Sequence, residues 1–191
     1  MPISLREAIR RWETKTGISP QEATEVNLIC QLPQPLERLD NEINQFENCE
    51  KLSLSTNAII QIVPMQRLKN LKILSLARNN IKRIQNLEDV AATLEQLWLS
   101  YNQIERLDNM APLQKLHTFY ISNNRIRSWE EISKCSQLAD LKNVLFLGNP
   151  CYTAPTKQEN WPMVVRKIPN VVNIDGCMVS AAIRAEAEAL E

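Results

Sequence analysis

The sequence predicts an α/β solenoid in which short coils stack side by side and each gives one strand to a parallel strand face. Three observations carry this expectation. A frame of apolar residues around an asparagine recurs, and Asn57, Asn79, Asn102, Asn124 and Asn149 follow one another at 22, 23, 22 and 25 residues. Before each asparagine, apolar residues alternate with others, as Leu97 and Leu99 flank Trp98; alternation of period two is that of a strand with one buried side. After each asparagine, apolar residues stand two, five and eight places on, as Ile81, Ile84 and Leu87 do, and line the return path of the coil.

Leu94, Leu97, Leu99, Asn102, Ile104 and Leu107 form the best copy, and the pattern L-x-x-L-x-L-x-x-N at this period is the leucine-rich repeat signature. Asparagine suits the point where the chain leaves the strand, because its amide both donates to and accepts from backbone groups. Stacked copies should therefore build a ladder of buried asparagines. One coil alone cannot cover its inner side, so neighbours and end caps must do so.

Residues 1–22 are expected to form a helical N-terminal cap. Ser4 and Glu7 read as a capping box, Leu5, Ala8, Ile9 and Trp12 make one apolar stripe, and Gly17 is a suitable stop. Arg6, Arg10, Arg11 and Lys15 would be its solvated side. Residues 23–150 read as an array of about six coils. The first is degenerate, with Val26 and Leu28 in the strand, Gln31 in place of asparagine, and Pro33 and Pro35 on the return path. The longer fourth spacing leaves room for a short helix between Trp129 and Leu138. Residues 151–178 are expected to close the array: a polar loop from Cys151 to Asn160, a short helix from Trp161 to Ile168, and a final segment from Pro169 to Gly176. Residues 179–191, rich in Ala and Glu, read as a helical tail with little apolar surface, one that docks weakly or awaits a partner.

Lysine plus arginine and aspartate plus glutamate are 22 each, so no bulk field favours nucleic acid or an acidic membrane. No apolar run approaches the ~20 residues needed to span a bilayer. Five scattered cysteines without C-x-x-C spacing, and no leader-like segment, fit a reducing, cytosolic setting. Cys49, on a core position, reads as a small buried hydrophobe. The single histidine, His117, lies just before a strand with no nucleophile or carboxylate dyad assigned to it, and phosphate-loop, dinucleotide and metal spacings are lacking. The expected class is a non-enzyme without cofactor or metal.

What remains is the open strand face. The residues between the strand leucines run Asn27, Ser53, Ser75, Trp98, Tyr120 and Leu145. The next outward row runs Ile29, Ser55, Ala77, Ser100, Ser122 and Leu147, and Cys30, Thr56, Arg78, Tyr101, Asn123 and Gly148 stand just before the asparagine positions. Small side chains fill the early coils and large ones the later coils. An exposed patch of Trp98, Tyr120, Tyr101, Arg78, Leu145 and Leu147 has the composition of a protein-binding hot spot.

Leu52 to Asn57, Ile73 to Ile81, Leu94 to Asn102, Phe146 to Pro150 and Ala8 to Gly17 together resemble the family of axonemal outer-arm dynein light chain 1, from Ser4 to about Gly176. The resemblance implies a non-catalytic subunit of ciliary or flagellar dynein, in the cytoplasm and cytoskeleton of the axoneme. Such a subunit binds the microtubule-binding domain at the stalk tip of a motor heavy chain, is linked to tubulin, and modulates how the motor head engages the microtubule. The resemblance places Trp98, Tyr101, Tyr120, Leu145 and Leu147 at the family's strand-face contact, and the chain is expected to be a monomer when free. The acidic tail, with Glu186, Glu188 and Glu191, would be repelled by an acidic tubulin surface. Two other classes share the repeat frame, a regulatory subunit of a protein phosphatase and a scaffold in a ribonucleoprotein. The second needs basic groups tracking phosphates, and Arg78 alone on the strand face is a poor start.

Overall fold

The computed structural model describes residues 2–190. Met1 and Glu191, the ends of the first and last expected segments, lie outside the described residues. Eight strands form one sheet in chain order: β1 (Glu25–Asn27), β2 (Lys51–Ser53), β3 (Ile73–Ser75), β4 (Gln96–Trp98), β5 (Thr118–Tyr120), β6 (Asn143–Leu145), β7 (Asn173–Ile174) and β8 (Cys177–Met178). The first seven pair parallel, each with the next, and β7 turns back antiparallel into β8. Val26, Leu52, Leu74, Leu97, Phe119, Val144 and Ile174 stand in one register and are all buried. Burying each such side chain stabilises the fold by roughly 1.5–3 kcal/mol relative to leaving it exposed.

The asparagine ladder forms as the repeat predicts. Asn102 donates through Nδ2 to the carbonyls of Leu76 and Leu99, both at 3.0 Å, and its Oδ1 accepts the N–H of Ile81 at 2.9 Å. Asn79, Asn124 and Asn149 repeat this pattern one coil apart. Gln31 only occupies the place of a rung: its amide reaches the carbonyl of Ile29, and it is Asn57 that accepts the N–H groups of Gln31 and Leu36. Immediately before the rungs, Cys30, Thr56, Arg78, Tyr101, Asn123 and Gly148 all take the left-handed backbone conformation. Only one of the six is glycine, and there a Cβ would meet Oδ1 of Asn123 at 2.5 Å.

The N-terminal helix α1 (Leu5–Thr16) buries Leu5, Ala8, Ile9 and Trp12 and ends at Gly17 with φ 71°. Trp12 packs edge-on against Phe46, which covers the first coil. The expected capping box is half made. Ser4 accepts the N–H of Glu7, but the Glu7 carboxylate pairs with Arg10 and Arg11 instead of folding back. Those two guanidiniums hold the Glu7 carboxyl below its ordinary range. Between β5 and β6 the long spacing holds α2 (Trp129–Ser133) and a following 3-10 turn. Here Glu131 accepts the N–H of Leu107 at 2.7 Å and binds Lys134, which also reaches Asp108.

The C-terminal end departs most from expectation. Asn160, placed by sequence in a polar loop, is 3% exposed, and its amide bonds Thr156 and Ala154 within that loop. Helix α3 (Trp161–Lys167) follows, with Trp161, Val164 and Val165 buried. The tail is a docked helix, α4 (Ala181–Ala189), packed against α3. Its apolar contribution is small, Ala187 and part of Ile183. It is also held by a polar device: Arg184 donates to the carbonyls of Pro169 and Val171 at 2.9 and 2.8 Å. No helix among the described residues is long and apolar enough to cross a membrane.

Candidate protein-binding face

The strand alternation that buries Leu97 and Leu99 turns Trp98 to the other side of β4. Trp98 pairs in register with Ser75 on β3 and Tyr120 on β5, and Tyr120 with Leu145 on β6. The indole and phenol rings stack, with centroids 6.0 Å apart and planes inclined by 23°. Such a pair contributes about 0.5–1.5 kcal/mol beyond its burial.

Arg78 and Tyr101 meet because both sit in the left-handed turn before a rung, one coil apart. Their backbones bond Ser100 and Ser122 respectively, and the Arg78 guanidinium lies 4.3 Å from the centre of the Tyr101 ring. At an exposed site that contact is worth roughly 0.5–1 kcal/mol. Tyr101 is 47% exposed and Leu147 39%. Leu147 lies at the far end of the array, where its N–H donates to Asp175.

Two features were not legible in the strand pattern. Ser75, Ser100 and Ser122, expected on an open surface, are buried; Ser100 and Ser122 share a hydrogen bond of 2.9 Å and Ser75 bonds Ser55 at 2.6 Å. Trp98 itself is half-buried, and its indole N–H is shielded from solvent with no acceptor among the described residues. Alternation fixes the side of the sheet on which a ring stands, but how far the ring lies down against its neighbours depends on its rotamer. A shielded donor without an acceptor is unfavourable by about 1–3 kcal/mol, which leaves this ring with something to gain by reorienting.

Elsewhere the chemistry is sparse. His117 bonds the hydroxyl of Thr118 at 2.9 Å and stands 3.7 Å from one carboxylate, Glu95. Thr118 is buried and is also contacted by the Asn143 amide. Burial pushes the Cys49 and Cys135 thiols up to about 12 and Cys151 to about 11. These three are core residues, as the position of Cys49 predicts.

The family described as Leucine Rich repeats (2 copies) matches residues 92–143. Dynein axonemal light chain 1 of Homo sapiens is 44% identical over 177 residues, covering 92% of this chain and 93% of that protein. The protein of the same name from Chlamydomonas reinhardtii is 40% identical over 189 residues, covering 96% and 94%. Among solved structures, the Drosophila melanogaster SNF/U2A′ complex aligns with a TM-score of 0.58 at 17% identity, over 97% of this chain and 91% of that one; this shows the fold alone. With its repeat frame, its two caps and relatives of this identity over nearly the whole length, the chain belongs to the axonemal dynein light chain 1 family.

Proposed function

We propose that this chain is a non-catalytic dynein light chain whose strand face docks on the microtubule-binding domain at the stalk tip of an axonemal outer-arm heavy chain, and that this contact modulates ciliary or flagellar motility. The observation that carries the reading is the Trp98–Tyr120 stack, flanked by the Arg78–Tyr101 contact and continued by Leu145. Large rings, an arginine and aliphatic neighbours gathered on one side of a sheet are the make-up of an interface centre. A partner acceptor near Trp98 would satisfy its indole N–H once the ring turns outward. Tyr101 and Leu147, already exposed, would be covered without rearrangement. The tail takes no part in tubulin contact in this reading, because Glu186 and Glu188 are exposed on α4 and would meet an acidic surface with like charge.

Tagged chain added to a detergent extract of axonemes, recovered and analysed for partners, tests the assignment. An outer-arm heavy chain should come down with it, and a fragment limited to the stalk domain should suffice. Recovery of a phosphatase catalytic subunit or a ribonucleoprotein, with no dynein, would overturn it.

A further inference from the structure

The net charge of zero hides a segregation of charge that only the folded register reveals. Leu36, Ile59, Ile81 and Ile104 each donate their N–H to the rung of the following coil and so occupy one position in successive coils. Two residues on, Arg38, Gln61, Arg83 and Arg106 therefore form one column, away from the strand face. All four are exposed, while Leu39, Ile62, Ile84 and Leu107, one place after them, are buried. Three adjoining hollows make up a trough along this column. The first lies between Arg38, Ile60 and Gln61, and the second shares Ile60 and Gln61 with it and reaches Lys82 and Arg83. The third, a groove of about 850 Å³, shares Lys82 and Arg83 with the second and reaches Arg106 and Arg125.

Five cations line this trough against two carboxylates, Glu105 and Asp108. Asp108 is already bound by Lys134 and Arg106, which hold its carboxyl below the ordinary range. Arg38, Lys82, Arg83 and Arg125 make no ion pair among the described residues. Coils repeat at about 5 Å, so Arg38, Arg83 and Arg106 span about 15 Å, the length of four or five extended residues. Between the cations lie neutral amides, Gln61, Gln85 and Gln103, which can bond an extended backbone.

We infer that this trough is a second docking site, separate from the strand face, which takes an extended, glutamate-rich polypeptide segment. Charge complementarity selects the occupant. Nucleic acid fits less well, because the trough offers no aromatic ring on which a base could stack. The inference does not rest on the strand-face reading.

A labelled peptide of twelve glutamates, titrated with the full chain in fluorescence anisotropy, is the test. Binding should weaken severalfold between about 50 and about 200 mM salt, as screening shortens the reach of exposed charges. Lys82→Glu with Arg83→Glu should weaken it by about tenfold or more, and Lys82→Ala with Arg83→Ala by less. Neither residue makes an ion pair, so both variants should melt like the parent, and the alanine pair serves if the reversal does not fold. Trp98→Ala with Tyr120→Ala should leave peptide binding unchanged, which separates this site from the stalk contact. Equal binding by the parent and both cation variants would overturn the inference. So would tighter binding of oligouridylate than of the peptide with the same dependence on Lys82 and Arg83, which would mark the trough as a nucleic-acid site.

Discussion

The backbone N–H of Phe146 donates to Oδ1 of Asp175 at 2.8 Å, at a register position where every earlier coil uses a backbone carbonyl. Leu28, Leu54, Leu76, Leu99 and Ile121 donate instead to the carbonyls of Ser53, Ser75, Trp98, Tyr120 and Leu145. The chain turns back at Asp175 with φ 52°, and the side chain stands in for the carbonyl that a seventh regular coil would have offered. The same carboxylate accepts from the N–H of Leu147, the hydroxyl of Tyr152 and the indole of Trp161. Four donors and no acceptor surround it, which favours a carboxylate over an amide. Asp175→Asn turns one oxygen into a donor facing donors, and the melting free energy should fall by about 1–3 kcal/mol. Trp161→Phe, which removes one donor and keeps the ring, should lose less. Parent-like melting of Asp175→Asn would show that the carboxylate does not end the array.

Asn102→Leu breaks the ladder in mid-array. It leaves the N–H of Ile81 without a partner, at about 1–3 kcal/mol, and takes one of two amide donors from the carbonyls of Leu76 and Leu99, which keep those of Asn79 and Asn124. Chemical denaturation should show a loss of about 1–3 kcal/mol, against little change for Asn70→Leu on the surface. Asn160 is no neutral control, since its buried amide ties the loop before α3; Asn160→Leu should also destabilise, by less than Asn102→Leu.

Thiol labelling reads the core directly. Cys30 and Cys177 are partly exposed and should react with a thiol reagent in the native protein. Cys49, Cys135 and Cys151 are buried, and the first two, with pKa values of about 12, hold only about one thiolate in ten thousand at pH 8. Two fast thiols, rising to five in denaturant, is the expected count; a fast Cys135 would contradict the packing around α2.

The docked tail makes its own prediction. Arg184→Ala removes two charge-assisted hydrogen bonds to the backbone after α3 and should destabilise by about 1–2 kcal/mol, with earlier proteolysis of α4. Truncation after Met178 should still leave a folded array, because α4 buries chiefly Ala187. Glu186→Ala, on an exposed position, should change neither.

The strand leucines, the rungs and the three-residue rhythm of the return path were legible because each imposes a period on the sequence. Features with one occurrence were not. The segment from Pro169 to Gly176 reads as closing the array, but the four donors around Asp175 and the two carbonyls before Arg184 come together only in the fold. Thr56, Arg78 and Tyr101 gave no hint of a left-handed backbone, since among the residues before the rungs glycine marks that conformation only at Gly148. The basic column was hidden for a different reason. Arg38, Arg83 and Arg106 are far apart in the chain, and only aligning the coils by their buried residues brings them together. Of the candidate face, the identity of the outward residues followed from alternation, whereas the burial of Trp98 and of the serine rows depended on side-chain packing.

The central claim is that the strand face binds the dynein stalk through Trp98 and Tyr120. Its most direct measurement is the affinity of purified chain for a recombinant stalk microtubule-binding domain, by calorimetry, for the parent, Trp98→Ala with Tyr120→Ala, and Lys82→Ala with Arg83→Ala. Both rings are half-buried and stacked, so their removal should lower the melting point modestly while the array stays folded. Truncating rings at an interface centre typically costs about 2–4 kcal/mol, so affinity should fall roughly 30- to 1,000-fold in the first variant. The second variant, away from the strand face, should bind as the parent does. A folded Trp98, Tyr120 double variant that binds the stalk domain with undiminished affinity would contradict the account.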